Sequence, residues 1–191
     1  MLTSLIDIWT IDLREPREVV LSEAEQQRAA RFVHEISSVR WTRAHSALRT
    51  ILATYLEIPP LDILFHVNDH GKPFTDGLQF NLSHCDEYAM IAVSRDVPVG
   101  IDIERLRGNT DIGKLLQRLG EKDIPADRDA QHQRWTLREA ASKARGGALF
   151  DPVAEEVRTI VIAAPAGHFA SLAADGAVPV PNYCGGVAGN L

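Results

Sequence analysis

The chain has 191 residues, a formal net charge of -6 at pH 7 and 45% hydrophobic residues, enough for one sizeable core or for two small domains that share a large interface. The acidic balance argues against general nucleic-acid binding, which needs a basic surplus, and no run approaches the ~18 apolar residues of a membrane span. The opening stretch lacks the basic and cleavage features of a signal peptide, and Cys85 and Cys184 have no metal-ligand spacing, so we expect a cytoplasmic protein with free thiols.

Residues 4–13 alternate well enough to predict a first strand, closed by a turn at Pro16. Ser22 then stands three residues before Glu25, the capping-box spacing, and predicts a helix to about Phe32 or Val33. Arg28 and Arg31 lie one turn apart on it. A longer helix is expected from about Ser37 to Tyr55, with Trp41, Ala44, Leu48, Ile51, Leu52 and Tyr55 as its core face. Arg40 and Arg43 flank that face and Arg49 points elsewhere; such arginines either sit in solvent or pair with anions.

Pro59-Pro60 ends the helix and opens a β-rich middle. Strands are predicted over Leu61 to Val67, Gln79 to Leu82 and Tyr88 to Ser94, with a turn at Asn68 to Pro73. The next strand, Val99 to Glu104, alternates strictly, so Ile101 and Ile103 share one face and Asp102 and Glu104 the other. Two carboxylates so placed are roughly 6–7 Å apart and repel by about 2–3 kcal/mol at an effective dielectric near 20. Solvation of an exposed acidic face relieves that repulsion, and so does a hard cation such as Mg²⁺, which binds a few carboxylates and keeps positions open.

A short amphipathic segment (Ile112, Leu115, Leu116, Leu119) and a Pro/Asp-rich linker follow. The next helix is expected from Gln131 to about Leu149, with Leu137, Ala140, Ala141, Ala144 and Ala148 inward and Trp135, Glu139, Ser142 and Lys143 opposite. A Trp on that polar side predicts that it meets a ligand or another part of the protein. Alternating runs after Pro152, and a short strand over Tyr183 to Val187, predict a closing meander.

Two of these segments carry a resemblance. Gly100 to Glu104 matches a G-[IV]-D-[IV]-E strand, and Trp135 to Lys143 matches a W-x-x-K-E-A-x-x-K helix with Arg138 in place of the first lysine. R-x-x-R-F at Arg28 to Phe32, the following Arg40 and Arg49, G-K-P at Gly71 to Pro73 and N-[IL]-S-H at Asn81 to His84 occur in the same order. By these motifs the chain resembles the 4′-phosphopantetheinyl transferases of the surfactin-synthetase-activating type, which load the phosphopantetheine arm of coenzyme A onto carrier proteins.

The resemblance implies an α+β fold of two similar halves, here 1–97 and 98–191, related by a pseudo-two-fold with coenzyme A in the cleft between them, in a monomer. It implies Mg²⁺ held by Asp102, Glu104 and Glu139, and phosphate contacts from Lys143 and His84. Arg28, Arg40, Lys72 and Ser83 match positions near the 3′-phosphate, the adenine nucleotide or the phosphate chain. The partner would be an apo acyl or peptidyl carrier protein whose serine attacks a charged phosphodiester, so cations must neutralise the phosphoryl oxygens and a base, Glu139 or a metal-bound water near Glu104, must take the proton. The products would be holo carrier and adenosine 3′,5′-bisphosphate. A coenzyme A-binding relative without turnover and a Mg²⁺-dependent phosphohydrolase remain as alternative readings.

Overall fold

Alternation along the first strand, β1 (Thr3–Asp12), sets the layering of the molecule. Ile6 and Ile8 point to one side and Ile11, with Leu13 beyond the strand, to the other, and each set is buried in a different core. The computed structural model describes residues 2–105, 110–147, 151 and 155–187. Helix α1 (Glu23–Ala29) starts on the expected capping box at Ser22 and Glu25, but ends before Phe32. Helix α2 (Glu35–Leu56) lies within two residues of its predicted bounds and covers one face of β1, β4 (Gln79–Cys85) and β5 (Tyr88–Ser94). The predicted strand over Leu61 to Val67 is instead a 3₁₀ turn, Pro60–Asp62, followed by a two-residue strand β2 (His66–Val67) paired with β3 (Pro73–Phe74). Proline at the start favours the turn over extension there.

Beyond β5 the chain runs β6 (Val99–Arg105), α3 (Ile112–Arg118) and α4 (Arg128–Arg145), then β7 (Val157–Ile162) and β8 (His168–Asp175), an order that parallels β1, α1, α2, β4 and β5 once the short β2–β3 pair is set aside. In the first sheet β5 lies antiparallel between β4 and β1, and in the second β8 lies antiparallel between β7 and β6. The last strand, β9 (Val178–Val187), is longer than predicted. It leaves β7 and β8 to run parallel to β1 at the edge of the first sheet, carrying Pro179 and Pro181. A strand pairing so far from its partner in sequence is invisible to local patterning.

Ile6, Ile8, Met90 and Ala92 of the first sheet share a core with Ile101, Ile103, Ala170 and Leu172 of the second. The layers therefore run α2, first sheet, second sheet, α4. At their junction the edge strands β4 and β6 form no ladder. Asn81 Oδ1 accepts from the Ile101 N–H at 2.8 Å and Ser83 Oγ from the Ile103 N–H at 3.3 Å, so two donors on the edge of β6 are satisfied by side chains.

Helix α4 packs more closely on β6 than any ordinary residue at position 100 allows: a Cβ on Gly100 would collide with the Ala140 carbonyl and the Ala144 amide. Its buried face is centred on His132, Thr136, Ala140 and Ala144, turned from the predicted face so that Leu137 is only half-buried. The helix stops at Arg145 on Gly146, whose φ of 65° suits the left-handed cap; Ala148 and Leu149, predicted to extend it, lie outside the described residues. Gly100→Ala should push α4 off the sheet and cost about 3 kcal/mol, a loss read by denaturant unfolding. Retention of wild-type stability would show that the contact is slack.

Candidate metal and phosphate site

On β6 the face that carries Gly100 also carries Asp102 and Glu104, so the strand turns both carboxylates toward α4 as its alternation predicts. From α4, Glu139 and Lys143 reach the same point, one helical turn apart. One oxygen from each of Asp102, Glu104 and Glu139 lies within 4.8 Å of the others.

Asp102 is 1% exposed. Its Oδ1 accepts from Lys143 Nζ at 2.5 Å and from Ser83 Oγ at 3.0 Å, whereas Oδ2 is buried with no hydrogen-bond partner among the described residues. A buried carboxylate oxygen without a donor is costly unless something else occupies its lone pairs. Three convergent carboxylates with one orphaned oxygen fit a hard divalent cation.

Charge in the cluster is poised accordingly. Burial, then the neighbouring Asp102 carboxylate, pushes Glu139 up to about 7 against the pull of Lys143. Burial lowers the Lys143 ammonium, but Asp102 and Glu139 outweigh it and hold the group above its ordinary value. Desolvation, then the Lys143 charge, lowers the His84 imidazole.

Beside the carboxylates a cavity of about 510 Å³ is lined by residues of α2, β4, β6, α3 and α4, among them Arg40, His84, Glu104, Trp135 and Glu139. Trp135 thus meets a cavity wall, as its place on a polar helix face predicts. Arg40 stands at the cavity opposite the acidic β4–β5 turn, 3.9 Å from Asp86 and 3.8 Å from Glu87. Of the other predicted residues, Ser83 bonds the cluster directly, whereas Arg28 and Lys72 do not. Ser83 lies beneath it, 7% exposed, its hydroxyl donating to Asp102 and accepting from Lys143 at 3.1 Å. Arg28 is exposed, its guanidinium 5.5 Å above the Trp41 ring. Lys72 donates to the carbonyls of Val99 at 3.1 Å and Ala144 at 3.0 Å, and burial lowers its pKa to about 8.

Two basic residues of the sequence motifs have structural partners. Arg49 is 3% exposed and bonds Glu25 at 2.7 Å and the Pro60 carbonyl at 2.8 Å, so it braces α1 against α2 and is neither solvated nor free for phosphate. Arg138 turns away from the carboxylates to Glu121 at 3.0 Å. Sequence reasoning missed Cys85 and His132, which line the cavity. Cys85 Sγ stands 3.8 Å from Glu104 Oε2, and the period-2 step from Ser83 carries the signal for it. His132 lies one turn before Trp135 and Thr136 on α4.

Because Glu139 keeps its proton in the folded, metal-free protein up to about pH 7, and gives it up near 4.5 when unfolded, the native state binds the extra proton between those values. Its stabilising effect is complete below pH 4.5 and is lost as pH rises through 7, on the order of 3 kcal/mol. Thermal unfolding in chelator should show this decline, and Glu139→Gln should flatten it. A profile identical in the variant would remove Glu139 as its source.

No protein-family model matches the chain. Among curated proteins it is similar to the 4′-phosphopantetheinyl transferase HetI of Nostoc sp., at 32% identity over 173 residues, covering 78% of this chain and 72% of that protein. It is likewise similar to the 4′-phosphopantetheinyl transferase gsp of Aneurinibacillus migulanus, at 35% identity over 142 residues, covering 70% and 59%. A 4′-phosphopantetheinyl transferase of Bacillus subtilis is 29% identical over 143 residues, covering 70% and 63%. The chain thus spans about three fifths of the length of the last two. With the motif-bearing strand and helix converging as described, and the identity to HetI extending over most of both chains, this protein belongs to the 4′-phosphopantetheinyl transferase family of enzymes.

Proposed function

We propose that this chain transfers the 4′-phosphopantetheine arm of coenzyme A to a serine of an apo acyl or peptidyl carrier protein, in a Mg²⁺-dependent reaction that releases adenosine 3′,5′-bisphosphate. The observation that carries the reading is the convergence of Asp102, Glu104 and Glu139 beside Lys143, with one buried Asp102 oxygen left without a donor. The names of the related proteins support the transfer. The parallel order of strand, two helices and two strands supports two halves, 1–97 and 98–191, related by a pseudo-two-fold, with the cavity at their junction as the active-site cleft. Cys85 and Cys184, which take part in no disulfide among the described residues, suit the reducing cytoplasm.

Asp102, Glu104 and Glu139 would hold the Mg²⁺ ion, which when bound supplies charge neutralisation at the pyrophosphate. Lys143 and His84 face phosphate oxygens from the helix and from β4, and Arg40, Arg28 and Lys72 serve the remaining phosphates and the nucleotide. Ser83 orients Asp102 and Lys143 through its hydroxyl. The carrier serine Oγ forms a bond to the phosphorus that bears the pantetheine arm, the bond from that phosphorus to the bridging oxygen breaks, and the bisphosphate nucleotide leaves with the electron pair. Glu139, in its ionised form, or a metal-bound water near Glu104 would take the serine proton.

Incubation with coenzyme A, Mg²⁺ and an apo carrier should add one phosphopantetheine to the carrier, seen as intact mass. Carriers of several types left unmodified while coenzyme A still binds would favour a relative without turnover, and phosphate released without carrier would favour the hydrolase. Asp102→Asn, Glu104→Gln and Glu139→Gln should each lower transfer by about 100-fold or more. Full activity in Asp102→Asn with an unchanged Mg²⁺ requirement would sink the assignment. Arg40→Ala and Arg28→Ala should weaken coenzyme A binding in calorimetry, and the residue that reads the 3′-phosphate should matter less for dephospho-coenzyme A.

A further inference from the structure

Helix α4 meets the second sheet through small groups: Ala140, Ala141 and Ala144 lie against Ala173 and Val157, with Gly100 beneath. Such a surface holds the helix close by dispersion, but it has few ridges and grooves to stop the helix sliding or turning. Directional bonds must do that. At the C-terminal end they come from Lys143, which bonds Asp102 of β6, and from Lys72 and Asn68, which donate to the carbonyls of Ala144 and Gly146. Nearer the N-terminal end they come from one buried cluster. Thr136 and Ser171 are both 0% exposed, and their hydroxyl oxygens are 2.7 Å apart. Gln133 Nε2 donates to Ser171 Oγ at 2.9 Å and to Thr136 Oγ1 at 3.0 Å. The Thr136 hydroxyl donates to the Gln133 carbonyl at 2.9 Å, which leaves Ser171 as donor to Thr136 and satisfies every hydroxyl in the cluster.

This cluster is tied to the carboxylates from both sides. Ser171 is the register partner of Asp102 across the β6–β8 ladder, so the two share a face about one strand spacing apart. Thr136 precedes Glu139 by three residues and Lys143 by seven, which places all three on one flank of α4. A slip of one residue would shift the helix by about 1.5 Å and turn it by about 100°, carrying Glu139 away from Asp102. We propose that Thr136, Ser171 and Gln133 are positioning residues that lock α4 in register with β6 and thereby set the affinity of the three-carboxylate centre for a divalent cation. This rests on the metal reading of that centre.

The test is Mn²⁺ binding to the metal-free protein, followed by electron paramagnetic resonance, with melting temperature as the control for folding. Thr136→Val and Ser171→Ala should each weaken Mn²⁺ binding by roughly tenfold, with melting temperatures within a few degrees of wild type. Thr136→Ser, which keeps the hydroxyl, should restore the affinity, and the double variant should be no worse than the weaker single one. Wild-type Mn²⁺ affinity in Thr136→Val overturns the proposal, and so does a loss in Thr136→Ser equal to that in Thr136→Val, which would assign the effect to side-chain volume. A wild-type protein that takes up no Mn²⁺ overturns the metal reading itself and this inference with it.

Discussion

The contact between α4 and β6 at Gly100 is the constraint from which the site follows. A strand residue without a Cβ lets the helix backbone settle onto the strand backbone. Only at that separation can side chains as short as Asp102 and Glu139 meet around one point. A larger residue would leave the two motifs chemically intact and geometrically apart. Strand and helix therefore form one device: the strand supplies two carboxylates by alternation, the helix supplies a carboxylate and an ammonium by its turn, and the glycine closes the gap between them.

The second dependence lies at the sheet junction. Two sheets that met edge to edge by a continuous ladder would form one large sheet, with no side chains between β4 and β6. Asn81 and Ser83 replace part of that ladder with side-chain acceptors, which satisfies the edge of β6 and brings Ser83 under Asp102. One hydroxyl then takes part both in joining β4 to β6 and in orienting the charged groups. The electrostatic state of the cluster follows from the same enclosure: burial disfavours charge on Glu139, and Lys143 balances only part of the acidic set.

Much of this was legible in the chain because it is local. Alternation placed Asp102 and Glu104 together, the four-residue step placed Glu139 with Lys143, and the capping box at Ser22 marked the start of α1. What was not legible depends on contacts between distant segments. Nothing near Arg49 says that its charge is spent inward on Glu25, and nothing near Arg138 says that Glu121 draws it off the polar face. The face of α4 was predicted from its apolar residues and came out turned, because the close approach at Gly100 favours alanine and threonine over leucine at the interface. The strand expected over Leu61 to Val67 fails for a related reason: Ile63 is buried and Phe65 packs on the core, but Leu61 at 57% and Leu64 at 72% stay exposed, so the segment anchors at single points and presents no sheet face.

The parallel strand β9 has a consequence for how molecules of this protein meet one another. Its Val178 N–H points inward to the Leu2 carbonyl, so the alternate positions 179 and 181 direct their backbone nitrogens outward. Both are proline and offer no N–H there. An exposed sheet edge is a template on which a second chain can pair, and intermolecular β-pairing of this kind is how native proteins begin to aggregate. Pro179 is buried and Pro181 half-buried, so cover adds to the two missing donors and this edge of the first sheet is a poor template through which crowded molecules could assemble.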